Sequence, residues 1–209
     1  MNMETNDKNA FEVVRQFERR IAEYAGSKYA VAVDSCTNAL FLSCMYLNIK
    51  GQEVTLPKRT YVSVPQSIIH AGGKVKFKDI NWKGTYKLEP FPIVDGAKRF
   101  TKDMYEKDTL HCLSFHMKKI LDIGRGGAIL TDDEEAVEWF KQARFDGRHE
   151  VPLHHDEFKI LGWNMYMTPE QAGRGLWKMM GLPEYNKDQS ETPPYPDLSK
   201  YTIFTEANR

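Results

Sequence analysis

The stretch CLSFHMKKILDIGRGGAIL, from Cys112 to Leu130, joins two apolar, strand-like runs through a polar, glycine-rich turn. The first run ends near Ser114, and two adjacent lysines, Lys118 and Lys119, follow before the second run begins. Lysine is among the residues that proteins bury least often. Two lysines at the tip of a buried strand therefore point to a functional site, and they raise the question of which one belongs to it.

Strand-like and helical segments alternate along the rest of the chain. The first helical stretch has apolar residues at near-helical spacing from Phe11 and is expected to end at Gly26. The alternation predicts an α/β fold, a three-layer sandwich whose mostly parallel sheet carries helices on both faces. We expect one sheet to contain the runs AVAV, EVTL, KVKF, PIV, HCLSF and GAIL.

Composition excludes several classes of protein. The 209 residues include 29 basic and 29 acidic side chains, so neither a nucleic-acid groove nor a polybasic membrane surface is expected. The three cysteines, Cys36, Cys44 and Cys112, lack the spacing of a metal site and are interpreted as free thiols in a reducing compartment. No apolar run has the length of a membrane span, and the polar first ten residues lack a signal sequence. These features predict a cytoplasmic protein without a metal.

The C-terminal segment differs from the rest. Residues 1–182 are expected to form one domain, whereas residues 183–209 are rich in proline and polar side chains and predict an extended arm. Four aromatic side chains are spaced along it, which suits an arm that docks on an apolar surface. They are Tyr185, Tyr195, Tyr201 and Phe204.

Parallel strands place functional groups beyond their carboxyl ends. The small-residue turn DSCTNAL opens a helix after the first strand and could hold an anion through its backbone N–H groups and Thr37. Asp95 ends another strand, and Ser114 and the lysine pair follow a third. Pyridoxal phosphate requires such a set: a phosphate cradle, an acid on its ring nitrogen and a lysine for its Schiff base. A strand-end aspartate that acts only as a cap is the alternative interpretation.

The segments YAVAVDSCTNAL, VTLPKRTYVS, IVDGAK, LSFHMKKILDIGRGGAILTDD and LGWNMYMTPEQAGRGL together resemble the DegT-type sugar aminotransferases, from about Phe11 to Leu182. This resemblance implies a fold-type I pyridoxal-phosphate enzyme that acts on nucleotide-linked keto-sugars. It also implies a homodimer.

The resemblance identifies Lys119 as the lysine that forms the Schiff base, with Lys118 at a variable position. Adjacent residues of an extended segment point to opposite sides, so only one of the two is expected to enter the pocket. Two solvated surface lysines are the alternative.

The resemblance assigns other roles in the cofactor site. Asp95 corresponds to the partner of the ring nitrogen, and Tyr61 to the aromatic residue that stacks on the pyridine face. Thr37 and the backbone of Cys36 correspond to the phosphate cradle, and Ser114 to its hydroxyl donor. A plain core tyrosine is the other interpretation of Tyr61.

Asn164 resembles a residue that reaches the cofactor phosphate of the neighbouring subunit, and a buried asparagine that satisfies loop backbone is the competing interpretation. Lys98 stands where the family usually has glutamine, near the phenolic oxygen of the cofactor. A second amine there would lower the pKa of the Schiff base or compete for the aldehyde. Cys36 replaces a usual glycine, Tyr166 replaces a usual arginine, and His116 is interpreted as structural.

Two segments of the family pattern are absent. Between Pro90 and Phe91 the chain lacks a helix, a strand and a helix, so we expect PIV to lie next to EVTL in the sheet. From the resemblance, the family's small C-terminal domain, which helps to exclude water, is expected to begin where this sequence ends.

The leading functional hypothesis is an aminotransferase that moves an amino group from an amino acid, such as glutamate, to a nucleotide-linked keto-sugar. A pyridoxal-phosphate enzyme of another type, such as a sugar dehydratase, is a second hypothesis, although its known relatives have histidine at the position of Lys119. A non-catalytic remnant that serves as a binding or assembly module is the third.

Overall fold

The structure is a computed structural model that describes residues 10–190 and 194–206. Residues 1–9 lie outside the described residues. The expectation that the first ten residues lack a signal sequence therefore falls mostly on residues that the structure does not describe. The same holds for residues 191–193 and 207–209 of the arm.

Local sequence explains where the helices begin and end. They are α1 (Glu12–Ala25), α2 (Cys36–Tyr46), α3 (Ser63–His70), α4 (Glu134–Ala143), α5 (Pro169–Met179) and α6 (Thr202–Glu206). Gly26 ends α1 with a φ of 84°, a left-handed conformation that glycine adopts without a steric cost. Ser35 caps α2 by accepting from the Asn38 amide, and Thr168 and Gln171 form a capping box at α5. None of the described helices combines the length and the apolar character that crossing a membrane requires.

The fold is of the expected α/β type with a mixed sheet, but the expected single sheet is wrong: the strands divide into a five-stranded sheet and a separate pair. The strands are β1 (Tyr29–Val33), β2 (Glu53–Pro57), β3 (Lys74–Lys78), β4 (Tyr86–Lys87), β5 (Ile93–Asp95), β6 (Leu110–Ser114) and β7 (Gly127–Thr131). Hydrogen bonds join β1, β7, β6, β5 and β4 in that order, and β2 pairs with β3. A bridge between Thr55 of β2 and Glu89 links the two groups. The pairings make β1, β2, β3, β5 and β6 run in one direction, and β4 and β7 run in the other.

The prediction that PIV lies next to EVTL is wrong. The short segment from β4 to Glu89 lies between them, because Tyr86 pairs with Asp95 of β5 and Glu89 pairs with Thr55 of β2. The Thr55 amide donates to the Glu89 carbonyl at 2.7 Å, and the Glu89 amide donates to the Thr55 carbonyl at 3.0 Å. β2 and β5 do not have to pair with each other, because the antiparallel segment between them supplies hydrogen-bond partners to the backbone groups of both strands.

Helices cover both faces of the sheet and give the expected three layers. Along β1, Val31 and Val33 belong to the core cluster that includes α2, α3 and α4, whereas Ala30 and Ala32 belong to the cluster with α1 and α5. This alternation follows from the two-residue period of a strand.

A buried ion pair ties α1, β1 and the end of α4 together. Arg144, 2 % exposed, donates to the Glu18 carboxylate and to the Ala32 carbonyl, the latter at 2.5 Å. Glu18 Oε1 in turn accepts from the Ala32 amide at 2.8 Å. Both charges are therefore compensated inside the protein, as burial of an ion pair requires.

His111 of β6 makes folding stability depend on pH. Its side chain is fully buried, and burial, with the positive charges of Arg99 and Lys87 adding to it, lowers the pKa of His111 from 6.5 to about 3. Below pH 6.5 the unfolded chain binds a proton at this histidine and the folded chain does not. The free energy of unfolding should therefore fall by about 1.4 kcal/mol per pH unit as the pH drops from 6.5 towards 3.

We expect His111→Gln to remove this contribution. Urea unfolding of the wild type and the variant between pH 7 and pH 4 measures it, with the exposed His154→Gln as a control for the loss of a histidine. Parallel pH profiles for wild type and His111→Gln would contradict the prediction.

Candidate active site

A cavity of about 960 Å³ opens where β1, β5 and β6 end. Because these strands run in the same direction, their carboxyl ends meet at one edge of the sheet. The structure brings most of the predicted site residues to this cavity. They are Cys36, Thr37, Tyr61, Asp95, Lys98, Ser114 and Lys119.

Hydroxyl groups from two helix starts meet in one wall of the cavity. Thr37 in the first turn of α2 and Ser63 at the start of α3 have their oxygens 2.8 Å apart. Gly127 of β7 packs against the turn before α2, and a Cβ atom there would lie 2.5 Å from the Ser35 carbonyl carbon. The absence of a side chain at Gly127 thus allows the sheet to approach the start of α2. Free N–H groups and hydroxyls at a helix start suit an anion.

Asp95 is a buried acid, 5 % exposed, with both oxygens engaged. Its Oδ2 accepts from the Tyr86 hydroxyl at 2.6 Å, and its Oδ1 accepts from the Ala97 amide at 2.9 Å. Thr60 Oγ1 lies 2.5 Å from the Tyr86 hydroxyl oxygen. A chain of hydrogen bonds thus runs from Thr60 through Tyr86 to Asp95 at the end of β5.

Burial raises the pKa of Asp95 above its ordinary 3.8. The Tyr86 hydroxyl, the Ala97 amide and the positive charges of Lys119 and Lys98 act in the opposite direction. Burial, followed by the negative charge of Asp95, also raises the pKa of the Cys36 thiol well above 9.0, so this thiol stays protonated at neutral pH.

The two lysines lie in a turn, and the expectation of an extended segment is wrong. The Lys119 amide donates to the His116 carbonyl at 2.8 Å, which closes the turn, so neighbouring side chains are not forced to opposite sides. Both Lys118 and Lys119 line the cavity. Lys118 is exposed, whereas Lys119 is half-buried and acts electrostatically on Asp95. Depth in the cavity therefore distinguishes the two lysines.

Lys98 and two tyrosines form another side of the cavity. Lys98 is 8 % exposed, and its Nζ lies 5.4 Å from the ring centroid of Tyr195. That ring meets the ring of Tyr61 edge-on at 6.3 Å. Tyr61 itself is 57 % exposed, so it is not a core tyrosine.

The arm is attached beside the cavity at residues 188–189. Arg99 donates to both oxygens of Asp188 at 2.8 and 2.7 Å. The Gln189 amide donates to the Lys98 carbonyl at 2.9 Å, and Gln189 Nε2 donates to the Lys118 carbonyl at 3.0 Å. The arm therefore holds the two loops that carry the lysines of the site.

A second attachment lies further along the arm. The Tyr195 ring stacks on Trp82 with centroids 6.5 Å apart, and the Leu198 amide donates to the Lys58 carbonyl at 2.8 Å. Phe204 is 3 % exposed and packs on Phe77 of β3. Tyr185 and Tyr201, in contrast, are 78 % and 50 % exposed. Two of the four arm aromatics thus pack against the domain.

Asn164 is not brought to this cavity. It is exposed, and its Nδ2 donates to Asp146 Oδ2 at 3.0 Å. Tyr166 also lies elsewhere and packs edge-on against Phe11 and Phe145. His116 is exposed and lines the cavity.

Sequence reasoning missed Tyr86, Thr60 and Ser63. A signal for Tyr86 was present in TYKLEP, where Tyr86 and Leu88 alternate with polar residues as in a half-buried strand. Nothing in the pattern around Thr60 indicates that its hydroxyl faces a buried tyrosine.

The model of the DegT/DnrJ/EryC1/StrS aminotransferase family matches residues 3–104 and 93–195. The chain belongs to this family. The two matches overlap at residues 93–104.

Individual relatives are distant and longer. The chain is 26 % identical to the spore coat polysaccharide biosynthesis protein SpsC of Bacillus subtilis. The aligned region covers 85 % of this chain and 59 % of that protein. It is 24 % identical, with the same coverage, to the UDP-4-amino-4,6-dideoxy-N-acetyl-beta-L-altrosamine transaminase of Campylobacter jejuni. The crystal structure of a putative PLP-dependent aminotransferase from Bacillus cereus superposes with a TM-score of 0.68 and 20 % identity, over 82 % of this chain and 59 % of that one. The chain thus spans less than two thirds of the length of these relatives.

The residues of the cavity fit pyridoxal phosphate. The hydroxyls of Thr37 and Ser63 beside the start of α2 match an anionic phosphate, and the buried carboxyl of Asp95 matches a protonated ring nitrogen. Lys119 supplies an amine in the same cavity. The donor set therefore contains a partner for each of these parts of the cofactor.

Proposed function

We propose that this chain carries the active site of a pyridoxal-phosphate-dependent aminotransferase that moves an amino group from an amino acid, expected to be glutamate, to a nucleotide-linked keto-sugar. The observation that carries the proposal is the presence of Asp95 and Lys119 in one cavity of a chain from an aminotransferase family. The substrate class is supported by the names of the relatives, one a transaminase of a UDP-linked amino sugar and the other a polysaccharide biosynthesis protein.

Each side chain has a role in this proposal. Thr37, the Cys36 backbone and Ser114 hold the phosphate, Asp95 keeps the ring nitrogen protonated, and Tyr61 packs on the ring. The chemistry that the bound cofactor supplies is an acceptor for the electron pair of the bond that breaks in the amino donor.

Lys119 has two roles: it holds the cofactor, and it moves the proton that leaves the donor's carbon. Lys98 provides a positive charge that favours the ionised phenolic oxygen of the cofactor. These assignments use the two lysines whose charges act on Asp95.

Lys119→Ala should abolish the covalent adduct that sodium borohydride fixes between the protein and pyridoxal phosphate, because it removes the amine that bonds to the cofactor. Lys118→Ala, the matched control in the same turn, should retain the adduct. Peptide mass spectrometry after reduction measures both. A label at Lys98 in the wild-type protein would contradict the assignment of Lys119, and the absence of any specific label would favour the non-catalytic module.

The arm is proposed to act as a cover of the site. Deletion of the residues after Leu182 should lower the conversion of glutamate to 2-oxoglutarate by about tenfold or more, since water then enters the site. The affinity for pyridoxal phosphate should change much less, because Asp95, Ser114 and Lys119 lie outside the arm. Stopped-flow or coupled assays and equilibrium binding measure the two quantities.

A point variant separates this effect from instability of the shortened chain. Asp188→Asn breaks the pair with Arg99 beside the cavity and should lower turnover in the same sense. Glu184→Gln breaks the pair with Lys102, in which Glu184 is 79 % exposed, and should have little effect. Equal turnover of the full and shortened chains would exclude a covering role for the arm.

We further propose that the site is completed in a homodimer, with Asn164 reaching the cofactor of the second copy. Asn164 is exposed and lies outside its own cavity, which supports a role towards another chain. Dilution to the monomer should release the cofactor, as measured by sedimentation velocity and by cofactor absorbance. A monomer that retains all of its cofactor at the lowest measurable concentration would contradict this proposal.

A further inference from the structure

Tyr86 comes from β4, the short last strand of the five-stranded sheet. Its hydroxyl lies 2.6 Å from Asp95 Oδ2 and 2.5 Å from Thr60 Oγ1. All three side chains are buried, with exposures of 7 % for Tyr86, 5 % for Asp95 and 1 % for Thr60. Three segments of the chain therefore meet in one hydrogen-bonded group beneath the cavity.

The protons in this group have one consistent arrangement. An ionised Asp95 only accepts hydrogen bonds, so the Tyr86 hydroxyl donates its single proton to Oδ2. The Thr60 hydroxyl must then donate to the Tyr86 oxygen. Since the Ala97 amide fixes Oδ1 at 2.9 Å, the plane of the carboxylate is held at both oxygens.

The Tyr86 hydroxyl also favours the ionised form of Asp95. Among the influences that lower the pKa of Asp95 against the effect of burial, the hydrogen bond from Tyr86 is the largest. Burial raises the pKa of Tyr86 well above 10.0, and the negative charge of Asp95 adds to this effect, so this donor keeps its proton. The titratable or charged groups that act on Asp95 or Tyr86 from the elements packed around them are Lys98 after β5, Lys119 after β6, Cys36 of α2 and Cys112 of β6.

We propose that Tyr86, oriented by Thr60, is a positioning residue that keeps Asp95 ionised and aimed so that it can hold the protonated ring nitrogen of the cofactor. The inference rests on the proposed function for the identity of that nitrogen. The hydrogen-bonded group itself lies in this chain alone and can be measured without the cofactor.

A purely structural tyrosine is the competing explanation. The Tyr86 ring packs against Trp82 with centroids 4.6 Å apart, and Tyr86→Phe keeps this packing while removing only the hydroxyl. A structural role would change the melting temperature and leave the titration of Asp95 as it is. If Tyr86 positions Asp95, Tyr86→Phe changes the pKa of Asp95.

The decisive measurement is the pKa of Asp95 in the cofactor-free protein, by NMR of ¹³C-labelled aspartate carboxyl groups. Asp95→Asn identifies the signal. Tyr86→Phe should raise the pKa of Asp95 by about one unit, because a buried carboxylate loses a donor. Tyr105→Phe, which removes a hydroxyl that donates to the Thr109 carbonyl at 3.2 Å, is the matched control and should leave it unchanged.

Thr60→Val tests the same group without touching Tyr86, and it covers the case in which Tyr86→Phe does not fold. It should shift the pKa of Asp95 in the same direction by a smaller amount, and Thr60→Ser, which keeps the hydroxyl, should restore it. An unchanged pKa of Asp95 in both Tyr86→Phe and Thr60→Val would overturn the inference.

Cofactor binding provides the second readout. Tyr86→Phe should weaken binding of pyridoxal phosphate by about tenfold near neutral pH. The loss should grow as the pH falls, since Asp95 with a raised pKa becomes neutral at a higher pH. Unchanged affinity in Tyr86→Phe at every pH, with normal binding by the wild type, would overturn the inference alone. Failure of the wild type to bind pyridoxal phosphate would instead overturn the proposed function.

Discussion

A charged carboxylate stays inside a folded protein only when hydrogen-bond donors and opposite charges replace the water that it loses. Asp95 meets this condition through the hydroxyl of Tyr86, the amide of Ala97 and the lysines of the cavity. Each donor fixes a different part of the chain. Tyr86 requires β4 to lie beside β5, where the two residues stand directly opposite each other in the antiparallel pair. The start of α2 and the turn with Lys119 then close the cavity over the same acid.

The segment from Tyr86 to Glu89 joins the five-stranded sheet to the pair formed by β2 and β3. A sheet needs an edge that offers N–H and C=O groups at the correct spacing, and it does not need a particular strand direction. The segment from Tyr86 to Glu89 meets this need with only a few residues, and it pairs with β5 on one side and with β2 on the other. The same segment supplies Tyr86 to the site. The link between the two strand groups and the support of Asp95 therefore depend on the same segment.

The sequence was informative where local patterns decide the structure. Gly26 ends α1 and Thr168 caps α5 because these features depend on a few neighbouring residues. The position of β4 was missed because two residues carry little periodicity, and because the bridge just after it joins Glu89 to Thr55, more than thirty positions earlier. The expectation that only one of the two lysines reaches the cavity was wrong for a related reason. The hydrogen bond to His116 turns the backbone, and it overrides the alternation expected of a strand.

The packing of Phe204 on Phe77 gives the arm a part in the order of folding. During synthesis β3 emerges well before Phe204, so Phe77 becomes available before the ring that packs on it. Lys74, Lys76 and Lys78 project from the exposed positions of β3, and lysines at a sheet edge discourage pairing with another chain. These charged positions alternate with Val75 and Phe77, so they oppose pairing of β3 with another chain whether or not the arm is in place. The contact between Phe77 and Phe204 joins distant parts of the sequence, and contacts of this kind form slowly during folding.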